Sequence, residues 1–68
     1  MQNELSATLE ALIDKHTLST VIETLGDIAF EKATHLDHNW QDKQGYKSWS
    51  LMGRKLESLN ILAHNHAL

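Results

Sequence analysis

Four side chains of this 68-residue chain recur at a spacing that suits chemistry: Glu31, His35, His38 and Asp42, at i, i+4, i+7 and i+11. On an ideal helix they lie within about 60° of one another, and neighbours three or four apart can reach a common ion. Carboxylate and imidazole together suit zinc, iron, nickel or copper. Four groups spread over three turns cannot all ligate one ion. The metal reading therefore uses Glu31, His35 and His38, with water or a second chain completing the shell. The competing reading is a solvated helix face, because this stripe lies opposite the apolar one and shares its side with Thr20 and Thr24. The solvated face is the reading preferred here, and no cofactor is expected.

A second constellation is aromatic. Trp40, Tyr46 and Trp49 bracket a short polar segment. Either the two indoles meet at the neck of a helical hairpin, burying a large apolar area, or they stand exposed at its tip, the composition that dominates binding hot spots. Lys43 and Lys47 flank them. Trp40, Tyr46, Trp49, Lys43 and Lys47 thus form the candidate partner-binding set.

Both constellations depend on the helices that carry them. Leu18, Val21, Ile22, Leu25, Ile28, Ala29, Ala33, Leu36 and Trp40 repeat at three and four, which predicts one long amphipathic helix over 18–42 with this stripe facing a core. Thr17 is the expected N-cap, and Gly45 the expected stop. Gly26, inside the helix, marks either close packing or a bend. Leu5, Leu9, Leu12 and Ile13 predict a shorter helix over 4–14, with Asn3 as its cap. Such a helix is marginal alone and must dock its leucines. Lys43-Gln44-Gly45 reads as a connector between antiparallel neighbours. A third helix follows over 46–63, with Trp49, Met52, Leu56, Leu59 and Ala63 along its seam. Residues 64–68 have no period and are expected to fray.

The domain expected is single and all-α: a short N-terminal helix on a long antiparallel hairpin, dimerising into a four-helix bundle. A chain this short buries only about 60% of the surface that it exposes unfolded. Without cysteine it has no disulfide to staple a thin core, which leaves oligomerisation as the common remedy. The formal charge of −3 conceals an asymmetry. Residues 1–42 hold eight acids against Lys15 and Lys32, a net −6; residues 43–68 hold Lys43, Lys47, Arg54 and Lys55 against Glu57, a net +3. Such opposed halves favour antiparallel pairing within one chain or across a dimer. Four basic residues in an acidic chain argue against nucleic acid. No glycine-rich phosphate loop, nucleophile elbow or H-E-x-x-H is present, which argues against an enzyme. No apolar run reaches the roughly 20 residues that span a bilayer, and the N-terminus has no signal-peptide pattern. A cytoplasmic protein without membrane contact is expected.

Glu31-Lys32-Ala33, then His35-Leu36, Asn39-Trp40-Gln41-Asp42 and Trp49, resemble a group of small uncharacterised helical proteins of cyanobacterial type. The resemblance runs from about Leu9 to Leu59. It implies a helical fold and a bacterial cytoplasmic setting and carries no activity. The expected function is a noncatalytic protein–protein interaction module, an adaptor or small regulator, homodimeric and with a further protein partner. A metal-binding helical module and a nucleic-acid-binding regulator are the alternatives.

Overall fold

The computed structural model describes residues 3–40 and 42–68, with the side chains of Asn39 and Trp40 left outside the description. The fold is all-α: α1 (Glu4–His16), α2 (Leu18–His35), a π-helical turn (Leu36–Trp40) and α3 (Lys43–Asn65). No strand occurs among the described residues.

Polar side chains start each helix. Asn3 Oδ1 accepts a bond from the Ser6 backbone N–H at 2.8 Å, satisfying one of the donors left unpaired in a first turn. Thr17 closes one helix and opens the next. Its N–H donates to the Ile13 carbonyl at 2.8 Å, so α1 continues to His16, two residues beyond the expected end. Its hydroxyl accepts from the Thr20 N–H at 3.2 Å. These bonds hold Thr17 at φ 98° and ψ 153°, a region that glycine alone enters readily. For a β-branched residue it costs on the order of 1–3 kcal/mol.

The long second helix expected over 18–42 ends earlier. After His35 the chain widens into the π-helical turn, and the Asp42 N–H reaches back to the Leu36 carbonyl at 3.2 Å. Asp42 then caps α3, its Oδ1 accepting from the Gly45 N–H at 2.9 Å. A cap stops one helix and starts another, so the third helix begins at Lys43 rather than 46. Gly45 is therefore no stop signal but part of the first turn of α3. A Cβ there would lie 2.5 Å from Asp42 Oδ2 and 2.8 Å from Leu36 Cδ1, so glycine makes room for the cap.

The tail also departs from expectation. Instead of fraying, residues 66–68 fold back over the end of α3, with Ala67 at φ 59° and the Leu68 N–H donating to the Ala63 carbonyl at 2.9 Å. The Leu68 oxygen in turn accepts from the Ser19 N–H at 2.9 Å. The folded-back tail thus satisfies a first-turn donor of α2.

Contacts along α2 and α3 show that the two run in opposite directions. Ser19 Oγ bonds to Asn60 Oδ1 at 2.7 Å, Gly26 lies opposite Leu56, and Phe30 lies against Gly53. The fully buried residues between them are small: Gly26, Ala29 and Ala33 from α2, with Gly53 and Ala63 from α3. Gly26 thus marks close packing, where a Cβ would stand 3.6 Å from the Leu56 Cβ. With the small residues turned inward, part of the expected core stripe is displaced. Leu25, Ile28, Met52 and Leu59 are each at least 42% exposed. α1 packs along α2 and makes no close approach to α3, and none of its residues is buried. The molecule is a slab of 38 × 29 × 18 Å with a radius of gyration of 13.9 Å, against about 11 Å for a compact chain of this length.

Thr17→Gly should raise thermal stability by about 1 kcal/mol, because relief of the backbone exceeds the small loss of a threonine cap. Among the packed glycines the signs should differ. Gly26→Ala meets only ordinary contact and should stabilise by about 0.5–1 kcal/mol through helix propensity. Gly53→Ala places a Cβ 2.8 Å from the Phe30 ring, and displacing that ring should cost about 1 kcal/mol net. Melting of the three variants by circular dichroism checks both.

Candidate interaction surface

Two surfaces draw together residues that can recognise a partner. The first is at the end of the slab beside the π-helical turn. Trp49 stands two turns into α3, and Lys32, near the end of α2, places its ammonium 5.7 Å from the indole centroid. That is within reach of the ring's negative face, an attraction of about 0.5–1 kcal/mol at an exposed site. Lys32, Trp49, Glu31, His35 and Leu36 line an open hollow of about 440 Å³. Tyr46, one turn before Trp49, is 41% exposed and Trp49 itself 37%. Lys43 and Lys47 are exposed on the same turns of α3. Of the expected partner set, Tyr46, Trp49, Lys43 and Lys47 therefore share one end of the molecule, and the side chain of Trp40 lies outside the described residues. Trp49 has neither the deep burial of a neck residue nor full exposure.

Lys32 was not singled out from sequence. It falls seventeen residues before Trp49, and only the pairing of α2 with α3 brings it over the ring. Phe30 against Gly53 escaped for the same reason.

The four-residue metal face does not stay together as a helical stripe. Glu31 and His35 line the hollow one turn apart. His38 lies past them in the π-helical turn, where the wider i→i+5 spacing takes the chain out of the α-helical register. Asp42 belongs to the next helix and spends its carboxylate on the Gly45 N–H. Among the described residues no group of three or more His, Cys, Asp or Glu is placed to hold a metal ion.

The second surface is apolar. Between α1 and α2 runs a groove of about 400 Å³, walled by Leu9, Leu12, Val21, Leu25 and Ile28, with His16, Thr20 and Thr24 among its polar lining. Sequence periodicity placed Val21, Leu25 and Ile28 in a core-facing stripe and required Leu9 and Leu12 to dock, and the structure leaves all five lining this open groove. Among the described residues no helix is long and apolar enough to cross a membrane. Comparison with protein families, curated proteins and solved structures finds no match to this chain.

In a Trp40→Phe background, Trp49 should remain quenchable by both acrylamide and iodide. Lys32→Glu should then lower iodide quenching about twofold while leaving acrylamide quenching unchanged, because the nearby charge reverses sign. Equal changes with both quenchers would mean that Lys32 does not lie over the ring.

Proposed function

We propose that this chain is a noncatalytic protein–protein interaction module, an adaptor or small regulator, that works as a homodimer. In the assembly, the hairpin of α2 and α3 from each copy contributes to a four-helix bundle, and the end bearing Tyr46, Trp49, Lys43 and Lys47 is left to bind a further protein. One observation carries the reading. The buried apolar side chains of the described chain are three alanines, Ala29, Ala33 and Ala63, while fourteen large apolar residues stay more than a third exposed. A monomer seldom leaves so much apolar surface in water, and surfaces of this kind mark sites of association. The hollow around Trp49 is open and shallow, unlike the concave, water-excluding pocket that catalysis needs.

Native mass spectrometry of the untagged chain tests this reading. The expected outcome is a metal-free dimer across the low-micromolar range. A monomer at every concentration would overturn the homodimer. A stoichiometrically retained zinc or nickel ion, lost in His35→Ala and His38→Ala, would replace this reading with the metal-binding one.

A further inference from the structure

We infer that the face formed jointly by α1, α2 and α3 on the side away from Phe30 is the dimer interface, and that its occupant is the same face of a second copy. The inference rests on the homodimer proposed above and assigns it a surface.

Helical geometry places several of the exposed aliphatic residues on one side of the slab, while Leu51, Ile61 and Leu62 point outward from α3. On α2, Ile22, Gly26, Ala29 and Ala33 point along α3; Val21, Leu25 and Ile28 fall to one side of that row, and Phe30 to the other. On α3, the Phe30 ring packs beside Gly53. Met52 and Leu59 lie on the opposite flank of the α3 seam from Gly53, and so on the same side as Leu25. Leu9 and Leu12 of α1 extend this face, since they wall one groove with Val21, Leu25 and Ile28. The Phe30 side differs: there Glu23, Asp27, Glu57 and Asn60 surround the ring with polar groups.

The area fits a second copy. The chain exposes 5503 Å², whereas a compact monomer of its mass exposes about 4,300 Å², an excess of about 1,200 Å². A stable interface of ordinary size removes about 800 Å² from each partner, and an obligate one more. The excess is large enough to supply one side of a dimer interface. The charge distribution fits as well. An isologous contact must be complementary to itself. α1 and α2 together hold six acids against Lys15 and Lys32, a net −4, and α3 holds Lys43, Lys47, Arg54 and Lys55 against Glu57, a net +3. A two-fold rotation that lays α3 of each copy towards α1 and α2 of its partner brings opposite signs together twice.

The test uses the full chain in analytical ultracentrifugation. Leu25→Glu and Ile28→Glu should each raise the dimer dissociation constant at least about 100-fold, because a desolvated charge without a partner opposes association. Ile61→Glu, on the far side of α3 from the seam, should leave it unchanged. Far-ultraviolet circular dichroism follows the helices of each variant. A readout without substitution accompanies these: peroxide oxidation of Met52 in the unaltered chain should slow several-fold when the protein is concentrated from below to above its dissociation constant. A wild-type dimer that is insensitive to Leu25→Glu and Ile28→Glu, with Met52 oxidised equally fast at both concentrations, would overturn this face and leave the homodimer standing. A wild-type monomer throughout would overturn both.

Discussion

The close approach of α2 and α3 is the constraint on which the rest of this structure depends. Gly26 faces Leu56 and the Gly53 carbonyl across the seam, Gly53 leaves room for the Phe30 ring, and Ala29, Ala33 and Ala63 are buried alongside. Burial of an alanine methyl removes little apolar area from water, and at roughly 25 cal/mol per Å² it stabilises far less than burial of a leucine. A seam of small residues therefore gains proximity at the expense of hydrophobic stabilisation. Every large aliphatic side chain that cannot fit between the helices is turned to a flank. The slab shape and the half-exposed leucines both follow from that exchange.

The ends of the seam are secured by polar geometry. Ser19 meets Asn60 and the folded-back Leu68 at one end. At the other, Asp42 caps α3 while its own N–H returns to Leu36. Between them these contacts fix how α3 lies along α2, which apolar packing through small residues specifies weakly. The same packing sets Lys32 over Trp49, so the aromatic end of the molecule is organised by the seam as well. α1 stands apart from this arrangement. It reaches only α2 and turns on the strained Thr17, and its leucines have on this chain only a groove to line.

The helices themselves were legible in the residue pattern. Apolar spacing of three and four marked all three, and Asn3 and Thr17 were readable as caps because a short polar side chain before an apolar repeat has one physical role there. Two boundaries were not. Asp42 looked like the end of a polar stripe, yet it opens α3, since a carboxylate three residues before a glycine N–H can cap only once the chain has turned. The tail lacked any period, and its order comes from bonds to Ser19 and Ala63 that no local pattern encodes.

By itself the sequence determined the helical class, the amphipathic faces, the opposed charges of the two halves and the want of a large core, because each of these is set by neighbours within a few residues. Tertiary structure alone decided which part of each apolar stripe is buried. An amphipathic helix presents a face more than 100° wide, and the partner helix covers only a fraction of it. In this packing that fraction is the row of small residues, Gly26, Ala29 and Ala33 on α2. From that packing came both the apolar surface left exposed and the breakup of the Glu31, His35, His38 and Asp42 stripe, whose register depended on a helix continuing unbroken through a turn that the packing of α2 on α3 requires.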